Sequence, residues 1–287
     1  MKIAAVILAA AIGVPSFGQT YLISQARAAL DRDEPALAVT LLEQAVRQSP
    51  ESAEAHGCLG VAYGSEALTA NIVRRVSLAQ KARSELEKAV EIDPDQVDAR
   101  IGLLEYYTLA PRLLGGDIEK AREQANVIKS RDSIGGHRAH AFISVHLKRI
   151  DLARKEFLDA VAEQPLSAKS HYWLGSFYET TDKNYPAASA EFEMAAKLDP
   201  TYMPVQFEIG HLAALAGINL ERGQEALAGY LNHKPKNDEP TLDRAEYWLG
   251  MIYERMGNEA AARRQYTDSL HVNPKRKDVL EAIARMR

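Results

Sequence analysis

Small and bulky apolar residues alternate along this chain in a helical rhythm. Ala38, Ala82, Ala153, Ala188 and Ala262 are each followed four residues later by a large side chain: Leu42, Leu86, Phe157, Phe192 and Tyr266. Three residues further comes a second small one: Ala45, Ala89, Ala160, Ala195 and Ser269. Positions i, i+4 and i+7 share one face of an α-helix. Small residues on that face let another helix approach closely. Twelve residues after each alanine stands a proline, Pro50, Pro94, Pro165, Pro200 and Pro274, placed where it ends the helix. Upstream lies a second helical face, Leu59-Gly60-x-x-Tyr63, Leu174-Gly175-x-x-Tyr178 and Leu249-Gly250-x-x-Tyr253, with weaker copies at Ile209-Gly210 and Leu103-Leu104-x-x-Tyr107. One unit therefore reads as helix, tight turn, helix, proline break.

This pattern of Leu-Gly-x-x-Tyr, then Ala-x-x-x-Phe, then Pro resembles the tetratricopeptide repeat, a two-helix unit of about 34 residues. The resemblance implies an all-α, right-handed superhelical solenoid of about seven repeats. These fall near 19–50, 53–94, 97–133, 134–165, 168–200, 203–240 and 243–274, in a single domain over 19–287 with a capping helix at 275–287. Departures are visible. The family's Trp three residues before the Leu is replaced by His56, His171 and Glu246. The third unit has Ser133 in place of its proline, and the sixth, near Gly223 to Ala226, shows no secure register.

Two units carry insertions. In the second, SEALTANIVRRVSLAQ, residues 65–80, predicts a long second helix from Ile72 to Ile92 capped by Asn71. Arg74, Arg75, Lys81 and Arg83 make its start basic, either a solvated face or a dock for an acidic partner. In the third, APRLLGGD, residues 110–117, combines a proline stop, two glycines that permit positive φ and an N-capping Asp117. It lacks the Lys-Ser/Thr of a phosphate loop, so no nucleotide site is expected.

The first residues, MKIAAVILAAAIGVPSFG, place Lys2 before an apolar run from Ile3 to Val14 that Pro15 breaks. This predicts a secretory signal peptide over 1–18. The run is too short to span a bilayer, which takes roughly 20 residues. The expected location is periplasmic or secreted, in a bacterial envelope, with no transmembrane anchor after cleavage. A net charge of −4 is the wrong sign for a nucleic-acid partner. Cys58, the only cysteine, excludes an intrachain disulfide and reads as a small hydrophobe.

No catalytic motif emerges, and no catalytic, cofactor or metal ligand is assigned. No small-molecule substrate is expected. The expected function is non-catalytic protein or peptide binding, as a scaffold, adaptor or chaperone-like factor. The alternative is an envelope enzyme or metal-handling accessory using His137, His140 and His146 of GGHRAHAFISVH. In the repeat family the first helix of each unit lines the concave surface. Carried onto this chain, the resemblance implies a groove built from Arg138, Phe142, Tyr172, Ser176, Glu179, Phe207, His211, Tyr247, Met251 and Glu254. An aromatic stands two residues before the Leu or Ile of three successive units, at Tyr172, Phe207 and Tyr247. If exposed, these rings form a ladder for an extended ligand.

Overall fold

The computed structural model describes residues 17–236 and 239–286. The signal segment expected over 1–18 lies almost wholly outside the described residues. Within them the chain forms fifteen α-helices and no strand. Its contacts divide into two compact units, Met1–Arg131 and Asp132–Arg287.

The first unit holds three helical hairpins, the first pairing α1 (Phe17–Asp31) with α2 (Pro35–Gln48). Then come α3 (Ala53–Thr69) with α4 (Ile72–Ile92), and α5 (Val97–Leu109) with α6 (Ile118–Arg131). The second holds four: α7 (Ser133–His146) with α8 (Ile150–Glu163), α9 (Ala168–Phe177) with α10 (Tyr185–Leu198), α11 (Met203–Ala216) with α12 (Leu220–Tyr230), and α13 (Leu242–Arg255) with α14 (Glu259–Val272). A last helix, α15 (Lys277–Arg285), closes on α14.

Caps chosen by the sequence set the helix starts. Ser52 accepts a hydrogen bond from the Ala55 N–H, Asn71 from Arg74, Asn184 from Ala187 and Asn258 from Ala261. The repeated alanines belong to the core: Ala38, Ala45, Ala153, Ala188, Ala195 and Ala262 are all buried.

Four of the seven hairpins close by one recurring fit, in which the bulky residue of the second helix seats over a glycine of the first. A Cβ on Gly60 would lie 2.5 Å from Leu86, one on Gly175 2.8 Å from Phe192, and one on Gly250 2.5 Å from Tyr266. No other residue fits beneath these side chains without a shift. The same fit fixes the sixth hairpin, where a Cβ on Gly210 would lie 2.2 Å from Leu227. Counting back four residues makes Gly223 the counterpart of the repeated alanine, and twelve onward lies Pro235. The register is concealed because Tyr230 fills the second small position. It is fully buried and donates its hydroxyl to the Pro240 carbonyl at 2.6 Å.

Candidate functional site

All ten residues expected in the groove lie in the second unit, on α7, α9, α11 and α13 or just beyond α9. The three aromatics do not form an exposed ladder. Tyr172 packs on Phe192 with ring centroids 6.1 Å apart, Phe207 on Tyr230 at 5.5 Å, and Tyr247 on Tyr266 at 5.9 Å. Each faces the second helix of its own hairpin. The reason is helical geometry: Tyr172 precedes Gly175 by three residues and so shares its face, and Gly175 abuts Phe192. The far sides of the rings meet the next segment. Tyr202 stands edge-on to Tyr172 at 5.5 Å, the Arg244 guanidinium lies 5.5 Å from the Phe207 ring, and Arg276 lies 4.8 Å from Tyr247. Phe207, 1% exposed, is core and not groove lining. Tyr172 and Tyr247 are half-buried, and burial pushes both phenols up.

In α9 and α13 the residue one step later, Trp173 and Trp248, turns instead toward the preceding first helix. The Arg138 guanidinium of α7 sits 3.4 Å from the Trp173 ring centroid of α9. The His211 ring of α11 lies 4.5 Å from that of Trp248 on α13. His211 Nδ1 is 3.1 Å from Glu179 Oε1 and 3.1 Å from Glu208 Oε2. Burial pulls the imidazole down, but hydrogen bonding to the two carboxylates outweighs it, and its pKa is pushed up to about 9. Glu179 is buried and therefore is not free groove lining either. It lies in a π-helical turn, Tyr178–Asp182, that ends at Lys183 with φ 56°. Met251 wedges between the apolar cores around Phe207 and Tyr266, and Glu254 accepts a hydrogen bond from the Tyr266 hydroxyl at 2.7 Å. Phe142 and Ser176 are half-buried. Trp173, Glu208 and Trp248 were missed in the sequence. Their signal was available: each immediately precedes the Leu or Ile of its unit.

Models of the tetratricopeptide repeat match residues 23–64, 147–202 and 244–276. The chain carries tetratricopeptide repeats. A search of the curated proteins finds no match. Among solved structures the chain is similar to the human IFIT1 dimer with PPP-AAAA, at 17% identity and a TM-score of 0.56, covering 93% of this chain and 63% of that one. It is similar to the Cut9 and Hcn1 hetero-tetramer of the APC/C, at 16% identity and a TM-score of 0.52, covering 94% of this chain and 48% of that one. A tetratricopeptide repeat protein from Parabacteroides merdae aligns over 94% of this chain and 99% of its own, at 15% identity and a TM-score of 0.49. The chain thus spans about half to two thirds of the first two relatives.

The repeat frame accounts for the remaining candidates. His56, His137 and His171 stand four residues before Gly60, Ala141 and Gly175, one repeat position in three hairpins. His137, 2% exposed, lies 2.8 Å from Glu156 and 3.1 Å from Glu163. His146 is exposed at the end of α7, and the structure does not gather His137, His140 and His146 into a ligand set. Arg74 pairs with Glu66, and Arg75 donates to the carbonyls of Ala67, Leu68 and Ala70 at the end of α3. Lys81 lies over Tyr63, and Arg83 is 3.6 Å from Glu87. The basic start of α4 thus makes contacts within its own hairpin and on Tyr106 of α5, over which Arg83 also lies, while Arg74, Arg75 and Lys81 stay exposed. In the third repeat, APRLLGGD is a turn: Arg112–Leu114 form one 3-10 turn, Gly115 takes φ 94°, and Asp117 accepts from the Glu119 N–H at 3.0 Å. Cys58 is half-buried against the core of the first unit, its sulfur 3.6 Å from Arg27, and burial pushes the thiol up. Among the described residues no helix is long and apolar enough to cross a membrane.

Proposed function

We propose that this chain is a non-catalytic protein- or peptide-binding scaffold of the bacterial envelope, an adaptor or chaperone-like factor. The observation that carries the reading is the set of half-buried side chains on the first helices of the second unit: Trp173 under Arg138, and Trp248 beside His211. Trp and Arg are the side chains on which binding energy concentrates at protein interfaces. Repeat stacks present such surfaces over a long face, which suits an extended partner better than a small molecule. The fold supports a binding role, and the sequence supplies no nucleophile–base pair. The IFIT1 dimer is with PPP-AAAA. This chain's net charge of −4 argues against a comparable ligand here. The envelope location rests on Lys2, the apolar run Ile3–Val14 and Pro15.

A random peptide-display selection on the purified full chain tests the binding role. Enrichment of one sequence class, with capture lost in Trp173→Ala and Trp248→Ala at unchanged helicity, is the expected result. Failure to enrich any class, or capture indifferent to both substitutions, overturns it. Mass spectrometry of the protein made in a bacterial host tests the location. A start at Gln19 is expected, and an intact Met1 in fractionated envelope and cytosol alike overturns it.

A further inference from the structure

Glu179, Glu208 and His211 are brought together from α11 and the π turn after α9, and the scaffold reading makes no use of them. One atom from each lies within 4.8 Å of the other two. His211 Nδ1 is 3.1 Å from both carboxylates. Ligands at roughly 2.1 Å around a tetrahedral ion are about 3.4 Å from one another, so a small rotation of the side chains suffices. Two carboxylates facing one imidazole favour a cation, and the ion would take the place of the Nδ1 proton, which is released to solvent on binding. One imidazole nitrogen carries at most one proton and cannot hydrogen-bond two carboxylates fully. Glu208 receives the aligned hydrogen bond from Nδ1 at 3.1 Å. Glu179 Oε1, 3.1 Å from the same nitrogen, receives no aligned hydrogen bond, although the side chain is only 4% exposed. A buried carboxylate oxygen left in that state is costly.

The backbone supplies a separate observation. Gly175 and Ala188 are thirteen residues apart, as are Gly210 and Gly223, whereas Gly250 and Ala262 are twelve apart. In the sixth hairpin the turn passes through Gly217 with φ 71°, but in the fifth it includes the π turn Tyr178–Asp182, which carries Glu179 toward α11. Single π turns inside helices are frequent at functional sites. The turn is held from outside: Arg154 donates to both carboxylate oxygens of Asp182, at 2.8 and 3.0 Å. Glu179 is therefore aimed by a fixed element.

We propose that Glu179, Glu208 and His211 bind one divalent transition-metal ion. One imidazole and two carboxylates suit a borderline cation such as Zn2+ better than Mg2+ or Ca2+, which prefer all-oxygen sites. Three protein ligands leave a position open, and a donor atom of a bound partner is its natural occupant.

The test uses the full-length chain and the metal alone. Trp173 and Trp248 are the only tryptophans, so a Trp173→Phe variant reports from Trp248, whose ring is 4.5 Å from that of His211. Co2+ is expected to quench that fluorescence saturably, with Zn2+ displacing it and calorimetry giving one ion per chain. Glu208→Gln and His211→Gln are expected to weaken binding by more than about 10-fold, since even outer partners of a metal ligand are worth 10–100-fold. Absence of saturable Zn2+ or Co2+ binding by the wild-type chain shows an ion pair only and overturns the proposal. So does binding that leaves Trp248 unquenched, or binding that survives both substitutions. If a ligand variant fails to melt cooperatively, the Trp248 signal in Trp173→Phe decides alone. Peptide capture without metal binding would remove this site and leave the scaffold reading standing.

Discussion

His56 and His171 make the same two contacts in different hairpins. His56 Nδ1 is 2.5 Å from Glu85 Oε2, and its Nε2 is 2.9 Å from the Pro50 carbonyl. His171 repeats this with Glu191 at 2.6 Å and the Pro165 carbonyl at 3.1 Å. Each ring ties the first helix of a hairpin to its second helix and to the proline break before it. The tetratricopeptide pattern places a Trp here, and the histidine replaces its bulk with two directed bonds.

The His56 pair makes stability depend on pH. The hydrogen bond to Glu85 raises the imidazole above its ordinary value, burial and Lys88 oppose it, and the Pro50 carbonyl assists. A raised folded value means that the native state holds the proton more tightly. Its contribution is complete below about pH 6 and fades as pH rises through the folded value. His56→Gln should therefore lower the melting temperature more at about pH 5.5 than at about pH 8.5. Equal losses at both would show that the ring acts through packing alone.

Glu246 occupies the same repeat position without such partners. Its Oε2 is buried with no hydrogen bond, and burial, with Asp268 and Asp243 nearby, pushes its pKa up to about 7. The fold disfavours the ionised carboxyl, so stability present below the ordinary glutamate value is lost as pH rises through about 7. Glu246→Gln should raise the melting temperature at about pH 8 and leave it nearly unchanged at about pH 4. Thermal melts of both proteins at the two pH values check this.

Ala153→Leu should cost about 1–3 kcal/mol. Ala153 is fully buried against Ala141 and Phe177, where the fourth and fifth hairpins meet. Added methylenes there must displace a helix. An unchanged urea midpoint would contradict the packing described for this position.

Phe207→Ala should cost about 3–5 kcal/mol, because the ring is buried against Tyr230 and beneath Arg244. Chemical denaturation measures it directly. A loss below about 1 kcal/mol would restore Phe207 to the surface.

Arg276→Ala should loosen the terminal helix. Arg276 Nη1 is 3.0 Å from Asp243, whose side chain is only 8% exposed, and Arg276 also binds Asp278 at 2.7 Å. Removing it leaves a buried carboxylate unpaired, at a cost of about 3 kcal/mol. Faster hydrogen exchange in α15, with α9 and α10 unaffected, is the expected pattern.

The hairpin rhythm was legible because it is local. Alanine, bulky residue and small residue lie on one face of one helix, so their spacing alone names the second helices. Caps are equally local, and Asn71 and Asp117 were readable from their own neighbourhoods. The sixth hairpin was not readable, because Gly223 and Tyr230 each break the size rule. Only the seating of Leu227 over Gly210 shows that the rule still holds there. The burial of the aromatic ladder was hidden for a related reason. Helical periodicity fixes the angle between Tyr172 and Leu174, but not which neighbour lies at that angle. One residue is about 100° of helix, enough to exchange Tyr172 in the hairpin for Trp173 facing the preceding first helix. The rotation of one hairpin on the next is set by packing between residues far apart in sequence. That packing, with the π turn that aims Glu179, places Glu179 and Glu208 around His211, a meeting that no spacing along the chain encodes.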